Sequence, residues 1–193
     1  MLFVRRRYTI IVASLIIFFL RAGLSFAAVD DGFGRAKKVQ GEHFIVYYAP
    51  QVELSSLKRH LDISSMDAFL AGKPIEKKDS AEEEFAQMLD ILFMRSCDIL
   101  DMYLYSYQGK IKICRNFAHL KRIYKHLFDK ELETLAFYVH ELNTIYISLD
   151  DFKREIVGHE MAHAVISHYF VVLPSVKVQE VLAGYVEYQL RKN

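Results

Sequence analysis

His159 and His163 stand four residues apart with Glu160 between them, in the order His-Glu-Met-Ala-His. On a helix, residues at that spacing lie about one turn from each other, with Cβ atoms about 5–6 Å apart, and two imidazoles so placed can converge on one tetrahedral ion. Glu160 is rotated by about 100° from His159 and so stands beside the ion instead of on it. Zinc lowers the pKa of a coordinated water toward about 7, and a neighbouring carboxylate can accept its proton as hydroxide attacks a carbonyl. The pattern therefore points to hydrolysis with Glu160 as general base. Both imidazoles lie on the apolar stripe Phe152, Ile156, His159, His163 and Ile166, where each needs a partner. Gly158 costs the same helix about 1 kcal/mol relative to alanine, which implies that something needs its space.

Two imidazoles and a carboxylate suit zinc better than magnesium or calcium, and a catalytic zinc needs a third protein ligand with one position left open. Pro174 breaks the motif helix and Ser175 can cap another, in which Val178, Leu182 and Tyr185 have helical spacing and Glu180 points from a different face. A helix returning beside the first could bring that carboxylate to the ion. His168, Tyr185 and Tyr188 are possible donors to an oxyanion, and none is assigned that role. His43, His60, His119, His126 and His140 lack partners at metal spacing and read as ordinary core or surface histidines.

The elements that must position these residues follow from periodicity. His43 to Tyr48 is apolar on both alternating faces and closed by Pro50, which predicts a strand inside a sheet. Residues 52–79 read as a loop with one short helix. Ser80 can cap a long amphipathic helix in which Phe85, Met88, Leu89, Leu92, Ile99, Tyr103 and Tyr107 recur at helical spacing until Gly109. Lys110 to Cys114 alternates as a second strand, Asn116 can cap a further helix, and Thr144 to Ser148 alternates as a third strand. Asp150 or Asp151 can cap the motif helix. Strands and helices mix without a strict βαβ rhythm, which favours a single α+β domain over a doubly wound one.

On these residues the chain resembles the gluzincin metallopeptidases, and especially the peptidase MA-like domains of exported bacterial proteins. Gly158 to His163 is similar to the family's zinc helix. Leu173-Pro174, followed by Gln179-Glu180-Val181-Leu182-Ala183-Gly184-Tyr185, is similar to its glutamate helix, commonly written N-E-G-L-A-E-Y. The resemblance covers roughly residues 42–191 and is strongest after 143. It implies a zincin-like domain, with a small mixed or antiparallel sheet packed on a long helix, ahead of the His-Glu-x-x-His helix and the glutamate helix. It also implies one zinc ion held by His159, His163 and Glu180, peptide or protein substrates, and an edge strand at 144–148 on which an extended substrate pairs. Val181 and Gly184 depart from the pattern. Gly184 stands where relatives often carry an acid that orients a zinc histidine, so that support must come from elsewhere or be absent. The chain ends soon after the glutamate helix, and an open, shallow site is expected.

Composition bounds the rest. With 52% apolar and 25% charged residues and no low-complexity tract, the chain is expected to form a packed domain over residues 42–193. Arg5, Arg6 and Arg7 precede the apolar stretch from Tyr8 to Leu20, and small residues follow, which is the layout of a secretory signal peptide cut between Ala27 and Ala28. An uncleaved anchor to the inner membrane through residues 8–20 is the alternative. Removing residues 1–27 takes away four arginines and no acid, leaving a formal charge of −3 and no basic excess for nucleic acid. Residues 28–41 show no apolar period and read as a flexible leader. Export would let Cys97 and Cys114 pair, although two buried thiols are the simpler reading. The expectation is a periplasmic or secreted zinc metallopeptidase, with a non-catalytic binding module on the same fold as its competitor.

Overall fold

The computed structural model describes residues 30–192, so the expected signal peptide, its cleavage point and the alternative membrane anchor lie outside the described residues. Five strands form one mixed sheet in the order β1-β2-β3-β5-β4, where β1 is Lys37–Gln40, β2 Phe44–Tyr48, β3 Gly109–Cys114, β4 Ala136–Val139 and β5 Thr144–Ser148. The three central strands β2, β3 and β5 run parallel, while β1 and β4 pair antiparallel at the two edges. Helices α1 (Leu54–Leu61), α2 (Ser65–Leu70) and α3 (Ala81–Leu100) connect β2 to β3, and α4 (Phe117–Phe128) lies between β3 and β4. A short 3-10 turn at Leu149–Asp151 leads into α5 (Arg154–Tyr169) and then α6 (Val176–Lys192).

Alternation along the strands divides the core in two. Phe44, Val46, Ile111, Ile113, Ile145 and Ile147 face α3 and α5, whereas Cys114, Tyr146 and Phe137 face α4. Cys97 and Cys114 fall in these separate layers as buried free thiols, each pushed up by burial, to about 11 and about 12.

Several elements begin where the residues say they should. Ser80 accepts from the Glu83 N–H at 3.2 Å, and Asn116 accepts from the His119 N–H at 2.9 Å. Others differ. Helix α3 stops at Leu100 because Asp101 takes a left-handed φ of 54°, so Tyr103 and Tyr107 lie in the loop beyond it. Residues 52–79 hold two short helices, the second fixed by a capping box between Ser64 and Asp67. Asp150 does not cap α5; it accepts from the Phe117 N–H at 3.1 Å, at the start of α4.

The stretch expected to be a leader is corrected from Asp31 onward, where the compact unit begins. Strand β1 pairs with β2, and Asp31 is buried against the Lys112 ammonium and the Tyr146 hydroxyl. Burial opposes its charge, but those two partners hold the Asp31 carboxyl below its ordinary range. Asp90, buried in α3, accepts from the N–H groups of Glu42 and His43 at 2.7 and 2.8 Å and so secures the β1–β2 turn.

Two contacts set the position of α5. At its first residue, Arg154 donates to Asp67 at 2.6 Å and to the Asp62 carbonyl at 3.1 Å, which ties α5 to α2. One residue before the first motif histidine, a Cβ on Gly158 would meet Leu190 Cδ1 of α6 at 2.1 Å. The space that glycine leaves is therefore occupied by the neighbouring helix. Gly158→Val is expected to destabilise the chain by about 1–3 kcal/mol through overpacking, read as a lower denaturant midpoint.

Candidate metal centre

Helices α5 and α6 pack antiparallel: Gly158 meets Leu190, His159 meets Glu187, and His163 meets Glu180. The inward stripe of α6, Ala183, Val186 and Leu190, is buried against α5 and α3. Glu180 and Glu187 are seven residues apart, about two turns, so one face of α6 delivers both carboxylates to the histidines.

The donor atoms converge. His159 Nε2 and His163 Nε2 are 3.2 Å apart, His163 Nε2 is 3.4 Å from Glu180 Oε1, and His159 Nε2 is 3.6 Å from Glu180 Oε2. Ligands at zinc bond lengths and tetrahedral angles are separated by about 3.4 Å, so these spacings fit one small cation. Among the described residues this is the group of histidine and carboxylate side chains with metal-binding geometry. Glu187 and the buried Glu160 lie beside this group of His159, His163 and Glu180, which could hold a metal ion.

Glu187 was not singled out from the sequence. Its Oε2 lies 3.1 Å from His159 Nδ1, a contact that holds the proton on Nδ1 and leaves the Nε2 lone pair facing the cluster. Glu187 lies one turn after Gly184, the position where the resemblance led to the expectation of an orienting acid, and the two-turn interval from Glu180 is the signal that could have revealed it.

Glu160 is buried beside the cluster. Burial first, and then the charge of Glu180, pushes its carboxyl up to about 8; a hydrogen bond from the Tyr138 backbone N–H opposes the shift and Glu187 adds to it. His163 is held below its ordinary range by burial and by His159, with Glu180 opposing. Glu180 is itself 56% exposed, so the cluster opens to solvent on the α6 side.

No family model, curated protein or solved structure matches the chain. The reading of the site therefore rests on its own geometry.

The expected edge strand is corrected. Thr144–Ser148 is β5, buried along its length and paired on both sides, by β3 and by β4. The edge belongs to β4, Ala136–Val139, a strand not anticipated from the sequence. Because the Tyr138 N–H reaches Glu160, alternation turns the backbone groups of Ala136 and Tyr138 away from β5 and along the outer edge.

The other residues considered lie elsewhere. His168 Nδ1 contacts the Ala164 carbonyl at 3.0 Å and its ring meets Tyr107 edge-on, while Tyr185 and Tyr188 are exposed on α6. His43 and His119 are buried in the fold, and His60, His126 and His140 stand apart from the metal cluster.

Two outcomes are expected. Replacing Glu187 with alanine should weaken metal binding about 10–100-fold, measured by titration calorimetry, because His159 loses its orienting partner. In the metal-free protein, Glu160 keeps its proton up to about 8 whereas an ordinary glutamate releases it near 4.5. Between those values the folded chain binds more protons than the unfolded one, so stability falls as pH rises through that window. Denaturant midpoints of chelator-treated protein should show this slope in the wild type and lose it in Glu160→Gln.

Proposed function

We propose that this chain is an exported zinc metallopeptidase, with His159, His163 and Glu180 as metal ligands and Glu160 as the catalytic base. The observation that carries the reading is the meeting of three donor atoms at 3.2–3.6 Å beside a buried carboxylate that is not one of them. A purely structural site would be expected to close its fourth position with protein, often with cysteine, whereas Cys97 and Cys114 are buried in the core layers away from this cluster.

When bound, zinc supplies Lewis acidity toward water and a carbonyl, together with positive charge that offsets the crowded carboxylates. The chain's own groups do the rest. On the outer edge of β4 the Tyr138 N–H serves Glu160 and the Ala136 carbonyl accepts from the Thr134 hydroxyl at 2.8 Å, so an extended peptide would pair with the Ala136 N–H and the Tyr138 carbonyl beside Glu160. Glu160 accepts the proton of the attacking water and passes it to the leaving amine, so the peptide C–N bond is exchanged for a C–O bond with no net proton change. Glu187 keeps the His159 ring in one tautomer and orientation throughout.

Export is supported by the arginines and apolar stretch that open the sequence, and the substrates would be peptides or proteins met outside the cytoplasm. The competing reading is a binding module that holds the metal without turnover, which the solvent exposure of Glu180 favours.

One experiment separates the two. Purified mature protein is expected to contain about one zinc per chain and to cleave members of a broad peptide library. Glu160→Gln should retain the zinc and lose cleavage by at least about a hundredfold, the low end of general-base contributions. Wild-type protein that holds zinc yet cleaves nothing would favour the binding module, and protein that binds no zinc would remove both readings.

A further inference from the structure

The C-terminal helical hairpin carries an apolar surface that neither the metal centre nor the core uses. Between Glu160 and Lys177 the chain has no charged residue apart from histidine. The loop between α5 and α6 lifts Val171 and Val172 fully into solvent, at 104% and 82% exposure. On α6, Val178, Val181, Tyr185 and Tyr188 recur at helical spacing, and all four are exposed. Helix α6 thus has a buried apolar stripe against α5, an acidic face toward the histidines, and a second apolar stripe with no partner among the described residues. An unpartnered patch of this kind on a folded domain marks an interaction surface.

Charge identifies the occupant. Lys177 stands at one end of the stripe and Lys192 at the other, with the Lys192 ammonium 5.6 Å over the Tyr188 ring. Both acids of α6 are turned away: Glu180 toward His159 and His163, and Glu187 toward His159 and Arg191. A second copy docked across a two-fold axis would bring lysine to lysine, or Lys177 to Arg191 and Lys192, in either helix direction, and would be repelled. An anionic lipid surface meets every feature at once. Valines on a protruding loop enter the acyl boundary, tyrosines sit at headgroup level, and lysines at the rim meet lipid phosphates. No described helix is long and apolar enough to cross a membrane, so this is a surface that lies on a bilayer and not one that spans it.

We propose that the α5–α6 loop and the outward stripe of α6 dock this domain on an anionic lipid bilayer. The inference stands apart from the proposed hydrolysis. Should both hold, the substrates are polypeptide segments at the membrane surface.

The test is flotation of the mature chain from Ala28, which contains the whole compact unit, with vesicles of phosphatidylcholine alone or mixed equally with phosphatidylglycerol. The chain should float with the anionic vesicles, and much less with neutral ones or in about 1 M salt, where the screening length is about 3 Å. Val171→Asp with Val172→Asp should cut the bound fraction at least about tenfold, and Lys177→Glu with Lys192→Glu should do the same on anionic vesicles only. All four positions are exposed, so circular dichroism and zinc content should stay unchanged. Wild type that stays at the bottom of the gradient, or flotation indifferent to the loop pair, overturns the proposal. So does a dimer in sedimentation that the loop pair dissolves, which would make a second copy the occupant. Loss of peptide cleavage in Glu160→Gln with flotation intact separates this surface from the catalytic reading.

Discussion

Helices α5 and α6 approach one another at Gly158, and the separation that a missing side chain permits there sets how far the carboxylates of α6 stand from the histidines of α5. Leu190 fills the space above that glycine, and from this contact the antiparallel register runs on to His159 with Glu187 and then to His163 with Glu180. A helix held further away would leave the carboxylates out of reach of the imidazoles and would also unpack Ala183, Val186 and Leu190 from the core. The local cost of glycine in a helix interior, about 1 kcal/mol, is small beside the loss of three convergent donors. Arg154 adds a fixed origin at the first turn of α5, because its guanidinium is held by buried Asp67. A cation at a helix N-terminus opposes the helix dipole, and the carboxylate beside it offsets that penalty.

Electrostatic crowding is the second constraint. Three carboxylates and two imidazoles share a small volume, with one of the carboxylates, Glu160, buried. In a site designed only for stability such a group would be replaced by an apolar residue of similar size. A buried carboxyl in a raised-pKa state, held by a backbone N–H from the edge strand, is consistent with the role of base proposed for Glu160. The same N–H links Glu160, the proposed general base, to the edge strand β4.

Much of this was legible from residue types alone, because helices and interior strands carry their own periodicity. The ends of α3 and α4 toward Ser80 and Asn116, the strands β2, β3 and β5, and the histidine pair all follow from spacing and capping chemistry. Edge strands do not announce themselves in that way. Strand β1 is Lys-Lys-Val-Gln, polar because it is largely exposed, and β4 is only four residues long. That β5 is interior and β4 is the edge depends on strand order, which is a non-local property that no window of sequence contains. The C-terminus of α3 was misplaced because aspartate, not glycine, takes the left-handed position there, as it also does after α1 and α4. Glu187 was missed for a different reason, since an exposed-looking acid on an amphipathic helix is ordinary until the helix beside it is in view.

Helix α6 shows how closely the remaining features are coupled. Its seventeen residues present three stripes: one buried against α5, one acidic toward the histidines, and one apolar toward solvent. Successive residues differ by about 100° around the axis, so a slip of the helix by one position would exchange these faces. The Gly158–Leu190 contact therefore does more than set a distance, because it also fixes the rotation of α6. Rotation decides which side chains reach the cluster and which remain outside. The exposed valines and tyrosines are accordingly not a failure of burial; they are the face left over once α6 has turned one side to the core and Glu180 to the two imidazoles, and no rotation of α6 could bury them without withdrawing Glu180.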